Sequence, residues 1–94
     1  MKIFLRLTKA LALLNKGQKE AIIALEDNST IAEFIDLLDR TLPGFKDIVL
    51  NPDTGISDSI NMYVNGENIR SLAGTGTLLS DGDHVGIIPA AAAG

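Results

Sequence analysis

The group with the clearest chemistry in this 94-residue chain is a backbone end rather than a side chain. Pro89-Ala90-Ala91-Ala92-Ala93-Gly94 follows directly on the apolar run from Val85 to Ile88, so the chain stops almost where its last strand-like segment stops. A terminus of such small residues, with no charge or aromatic ring to tie it down, is expected to be mobile and thin enough to enter another protein's cleft. The remaining candidates are weaker. Asp81 and Asp83 flank Gly82, but two carboxylates fall short of a calcium cage, and Asp-Gly-Asp reads as a turn. His84 is the only histidine and there is no cysteine, so no zinc set forms and His84 reads as a solvent-facing strand residue. Gly74-Thr75-Gly76 has Leu79 where a dinucleotide fingerprint needs its third glycine, and reads as a surface turn. Asn28-Ser29-Thr30 spells a glycosylation acceptor but fits better as the start of a helix.

The absence of cysteine excludes disulfides, a thiol nucleophile and a persulfide held on a side chain. If this chain handles sulfur, another group must hold it. With 12 acidic residues against 8 basic and a net charge of −4, the surface repels phosphate backbones, so nucleic acid is not expected as a partner. The longest apolar runs span only a few residues, too few to cross a bilayer, and Met1-Lys2 leads into alternation rather than a signal-peptide core; a soluble, cytoplasmic protein without a membrane partner is expected. A chain of this length makes one domain with a single modest core.

The elements that must position the end group are short. Lys2 to Leu7 alternates in period two, with Ile3, Leu5 and Leu7 on one face and Phe4 and Arg6 on the other. Thr8 to Gln18 reads as a connection, with a possible helical turn over Ala10 to Leu14, and Glu20 to Leu25 as a second strand. Thr30-Ile31-Ala32-Glu33 is a capping box, and Ile31, Phe34, Ile35, Leu38 and Leu42 form one apolar stripe of a helix that Pro43 closes. Phe45, Ile48, Val49 and Leu50 cover the helix end or add a short strand, and Asn51 to Gly55 is a turn. Ile60 to Val64 is another alternating strand, Asn65-Gly66 suits a type I′ hairpin turn, and a return strand passes through Asn68 and Ile69. His84 to Ile88 is the last strand. The fold class is α+β: a mixed sheet with one main helix on one face.

The C-terminal third carries a specific resemblance. Tyr63-Val64-Asn65-Gly66-Glu67-Asn68-Ile69-Arg70, then Leu72, Gly74 and Thr77-Leu78-Leu79, then Asp81 to Pro89, resembles the signature of the MoaD/ThiS ubiquitin-like sulfur carriers, and the preceding element order agrees. It is most similar to the longer MoaD-like and archaeal small-modifier members, because ThiS proteins lack room for Phe45 to Ser59. The resemblance implies a ubiquitin-like β-grasp domain over residues 1–89 and a flexible tail over 90–94. It implies that the Gly94 carboxylate is adenylated with ATP by an E1-like adenylyltransferase of the MoeB/ThiF kind and then thiocarboxylated. The carrier binds no cofactor or metal and has no catalytic residue of its own. In the MoaD branch the sulfur goes to a pterin precursor inside a larger, MoaE-like molybdopterin synthase subunit; in related branches the tail is joined to lysines. A non-covalent binding module is the remaining alternative. The family ends in Gly-Gly whereas this chain has Ala93 before Gly94, so activation depends on an activator channel that accepts one methyl group.

If Ile3, Leu5, Leu7, Met62, Val64, Val85 and Ile87 face the helix, period two turns Phe4, Arg6, Tyr63 and Ile88 to the other side of the sheet. Aromatic, aliphatic and arginine side chains together compose an interface centre, and these four are the expected partner surface, with Arg70 as an accessory group for a carboxylate on the partner.

Overall fold

A computed structural model of the chain describes residues 1–53 and 55–90. Strand β1 (Lys2–Leu7) alternates strictly between exposed and buried side chains, as its period-two sequence requires. It pairs antiparallel with β2 (Glu20–Ala24), Phe4 lying opposite Ile22 and Arg6 opposite Glu20. Between them the chain is more regular than a plain connection. A one-turn helix α1 (Lys9–Ala12) passes into a 3-10 turn over Leu13–Asn15 and ends with Lys16 and Gly17 at φ values of 55° and 81°. Burial of Leu11 and Ala12 holds this turn against the sheet. Strand β2 stops at Ala24, one residue short of the expected Leu25, whose N–H donates to the Met1 carbonyl.

Helix α2 (Ile31–Thr41) starts on the expected capping box: the Glu33 N–H donates to Thr30 Oγ1 at 3.3 Å and the Thr30 N–H to Glu33 Oε1 at 3.1 Å. Its stripe of Ile31, Phe34, Ile35 and Leu38 is buried, each side chain stabilising the fold by about 1.5–3 kcal/mol. Pro43 and Gly44 then turn the chain, Gly44 at φ 94°, into α3 (Phe45–Val49), a helix where coverage or a strand was expected. Phe45 and Val49 go fully into the core, which a five-residue turn of helix achieves from one face. Lys46 ties α3 to α2, its Nζ donating to Asp36 Oδ1 at 2.8 Å and its N–H to Asp39 Oδ1 at 2.9 Å. The Asp36 hydrogen bond, followed by the Asp36 charge, raises the Lys46 pKa above the ordinary lysine value.

Strands β3 (Leu50–Asn51) and β4 (Gly55–Ile56) form a small separate hairpin. Strand β5 (Ile60–Val64) turns through Asn65 and Gly66, at φ 50° and 86°, into β6 (Glu67–Asn68). Those angles are what a type I′ turn demands. The return strand ends at Asn68 because Ile69 is drawn wholly into the core and begins a 3-10 turn, which the Asn68 side chain caps by accepting from the Arg70 N–H at 2.9 Å. The last strand, β7 (His84–Pro89), lies parallel to β1 and antiparallel to β5. The main sheet has the order β2-β1-β7-β5-β6, with α2 on one face only. This is the mixed sheet of a ubiquitin-like α+β fold.

Candidate functional site

The strand carrying the terminal segment is the central strand of the sheet, and it runs parallel to β1. The described chain therefore leaves the body at the end where β1 also ends. Pro89 is opposite Ile60, and the Ala90 N–H donates to the Ser59 carbonyl at 2.8 Å. Ala93 and Gly94, the expected activation site, lie outside the described residues.

The outer face of the sheet, opposite α2, is built by register. Phe4 sits across from His84 on β7 and from Ile22 on β2, which makes one apolar row. The Phe4 and His84 rings stack at 4.9 Å between centroids with 16° between planes. The next row reads Glu20, Arg6, Gly86, Tyr63, Asn68. Gly86 contributes no side chain there, leaving a notch between Arg6 and Tyr63, and a Cβ built on it meets nothing within 4 Å. Arg6 and Glu20 approach only to 4.0 Å with side chains 81% and 75% exposed, a loose pair that contributes little and stays available to a partner. Ile88, opposite Asn61, closes the face at the base of the terminal segment.

Of the expected interface residues, Phe4 and Arg6 are exposed while Tyr63 and Ile88 are half-buried, and the four sit together on three adjacent strands. Arg70 stands at the edge of this group and is engaged within its own chain. Its Nη2 donates to the Ser57 carbonyl at 2.9 Å, its Nη1 to Asn61 Oδ1 at 2.8 Å, and both reach the Ile60 carbonyl at 3.3 Å. Arg70 thus braces the start of β5, the strand that flanks the base of the terminal segment. The sequence reading left His84 and Ile22 out of the interface, although the period-two rule that turns Phe4 outward turns both of them outward too. Asn61 was missed for a different reason: its link to Arg70 depends on where the turn after β6 returns.

The aspartates of the turn before β7 are spent on the fold. Asp81 Oδ1 accepts from the Lys2 N–H at 2.6 Å, while Asp83 takes the Ser80 N–H at 2.7 Å and the Asn65 side-chain amide at 2.9 Å. Among the described residues no three His, Asp or Glu side chains gather as a metal set, and no helix is long and apolar enough to cross a membrane. The geometry gathers Phe4, Arg6, Tyr63 and Ile88 on the outer face of a sheet whose central strand leads to Ala90.

That class of architecture agrees with the comparisons. Residues 8–94 match the ThiS family, and the chain belongs to this family of ubiquitin-like sulfur carriers. It is 31% identical over 80 residues to the sulfur carrier protein CysO of Mycobacterium tuberculosis, covering 83% of this chain and 84% of the relative. The crystal structure of that CysO superposes with a TM-score of 0.82 at 28% identity, over 93% of this chain and 97% of the other. Small archaeal modifier protein 3 of Haloferax volcanii is 28% identical over 78 residues, again 83% of this chain and 84% of the relative. A chain of the BexX/CysO complex of Amycolatopsis orientalis is similar at 26% identity with a TM-score of 0.78, over 93% of each chain.

Proposed function

We propose that this chain carries sulfur on its terminal carboxylate. An E1-like adenylyltransferase docks on the outer sheet face around Phe4, Arg6, Tyr63 and Ile88 and takes the terminal segment into its active site. A Gly94 carboxylate oxygen attacks the α-phosphorus of ATP, pyrophosphate leaves, and an acyl adenylate forms. A sulfide equivalent then attacks the carbonyl carbon and AMP departs, leaving sulfur in place of one oxygen. Adenylation is needed because a carboxylate has no leaving group, and glycine at the end removes the Cβ that would widen the chain inside a closed channel. The carrier supplies the handle, and the partner supplies ATP and the catalytic groups. The observation that supports this reading is that the chain leaves the body from the central strand β7, and that the outer face of this strand and its two neighbours carries Phe4, Arg6, Tyr63 and Ile88. The family and the sulfur carriers among the relatives support it.

The acceptor we propose is the pterin precursor of molybdopterin synthesis, held in a larger synthase subunit, as the signature in the C-terminal third implies. Conjugation to lysines is the second reading, favoured by likeness to a small archaeal modifier. Incubation with the cognate activating enzyme, ATP and a sulfide donor is expected to raise the intact mass by the exchange of one oxygen for sulfur, and deletion of Gly94 to abolish the exchange. Failure with every activating enzyme of the source organism overturns the proposal. Sulfur transfer to the pterin precursor with the large subunit supports the first acceptor; a Gly94-dependent ladder of larger species in cells supports the second.

A further inference from the structure

Strand β2 ends the sheet, and among the described residues no strand pairs with its outer edge. The Leu7 N–H donates to the Lys19 carbonyl and the Leu25 N–H to the Met1 carbonyl. Hydrogen-bonded and non-bonded pairs alternate along an antiparallel ladder, so Lys19, Ala21, Ile23 and Leu25 turn their backbone groups toward β1. Glu20, Ile22 and Ala24 therefore turn theirs outward, away from the sheet. Native edges are commonly blunted by charged side chains, proline or a bulge; β2 carries one charge, Glu20 at its first position, has no proline and pairs with β1 in continuous register. Its middle residue, Ile22, is 64% exposed.

We propose that this edge pairs with the same edge of a second copy, two β2 strands running antiparallel about a two-fold axis at Ile22. The register follows from three requirements. Directly opposed residues must point to the same face, so the axis passes through a residue rather than between two. The axis residue must have outward backbone groups for its own pair to bond, which selects Ile22 over its neighbours. Centred there, Ile22 opposes Ile22 of the second copy and Glu20 opposes Ala24, each pair exchanging two hydrogen bonds, or about six in all. A shift centred on Ile23 sets Glu20 against Glu26 twice, like charges directly opposed, while a shift centred on Ala21 leaves Ala24 beyond the partner strand.

The pairing also satisfies self-complementarity, the condition a two-fold contact imposes. It joins the apolar row His84, Phe4, Ile22 to its own mirror across the axis, so the exposed isoleucine finds an apolar neighbour on the outer face. Because the β2 strands are antiparallel, the two β7 strands also run in opposite directions and the two terminal segments leave from opposite ends. Strand β1 separates the paired edge from β7, so the pairing is compatible with the carrier role and independent of it. The contact is small, well under the roughly 1,200 Å² of stable complexes, and so association is weak and driven by concentration.

Two measurements on the full chain test the pairing. In sedimentation velocity, the weight-average mass is expected to rise toward the dimer value with increasing concentration, and Ile22→Lys to hold it at the monomer value with an unchanged circular dichroism spectrum. By NMR, amide exchange at Glu20, Ile22 and Ala24 is expected to slow several-fold over the same series while Ile23 and the rest of the sheet stay constant. A monomer at every concentration overturns the inference, as does a dimer that leaves exchange at Ile22 and Ala24 unchanged. Neither readout involves Gly94 or an activating enzyme, so loss of sulfur transfer leaves this result standing.

Discussion

Replacing Gly86 by valine separates what the fold needs from what the docking surface needs. Gly86 lies in the middle of β7 with ordinary strand geometry, and a Cβ there meets nothing within 4 Å on its own chain. Glycine in a strand interior costs about 0.5–1 kcal/mol relative to alanine, and a β-branched residue fits a pleated surface at least as well. The Gly86→Val variant should therefore be more stable by about 0.5–1 kcal/mol, a rise in melting temperature of roughly 2–8 °C for a domain of this size. The added methyl groups fill the notch between Arg6 and Tyr63. If an activating enzyme packs against that notch, overfilling costs about 1–3 kcal/mol of association, roughly a 5- to 150-fold loss in kcat/KM for adenylation. Thermal unfolding and ATP–pyrophosphate exchange with the cognate enzyme read the two effects separately. A variant that melts lower than the parent refutes the packing argument. A stabilised variant that is adenylated at the parental rate refutes the use of the outer face.

Other substitutions probe single contacts. Phe4→Asp, which removes a ring 37% exposed and stacked on His84, is expected to reduce adenylation kcat/KM at least tenfold, and to cost about 1–2 kcal/mol in urea titrations through lost burial and poorer strand propensity. Thr30→Ala removes half of the capping box and should lower unfolding free energy by about 1 kcal/mol in urea titrations. Lys46→Met removes the tie between α3 and α2. Because the folded pKa of Lys46 is raised, its contribution is complete below the ordinary lysine value of 10.5 and is lost as pH climbs through the higher folded value. The difference in urea midpoint between parent and variant should accordingly be present at neutral pH and shrink in alkali above the folded pKa. Arg70→Met should speed amide exchange over residues 57–61, where the guanidinium holds the Ser57 and Ile60 carbonyls, with little effect on α2.

The parts of this structure legible in the sequence are those set by local rules. Period two along Lys2–Leu7 and Ile60–Val64 fixed which side chains face α2, and Thr30 with Glu33 fixed where α2 begins. Asn65-Gly66 announced its turn because few other dipeptides accept two positive φ values. The short helices were legible only in part: a helical turn over Ala10 to Leu14 was one reading of the first connection, and the second helix gave no sign. Lys9–Ala12 and Phe45–Val49 span barely one turn each, too short for a 3.6-residue period to declare itself, and they form because Leu11, Phe45 and Val49 reach the core. Long-range register was equally hidden. That Phe4 stacks on His84, and that Arg70 reaches back to Ser57, depends on which strands become neighbours and not on any spacing along the chain.

The position of β7 bears on how such a carrier can be used repeatedly. An enzyme that draws the terminal segment into its active site pulls on the strand that precedes it. An edge strand held by one ladder could peel away, and each turn of the cycle would then require refolding. Strand β7 is hydrogen-bonded on both sides, to β1 and to β5, and Val85 and Ile87 are fully buried beneath α2. A load applied at Ala90 is therefore shared by both ladders and by the Ser59 contact at the exit. Under the proposed function, the end group passes between partners while the strand behind it stays paired on both sides. By that reasoning the amides of Val85 and Ile87 exchange by global unfolding alone, and saturating amounts of activating enzyme should not accelerate them.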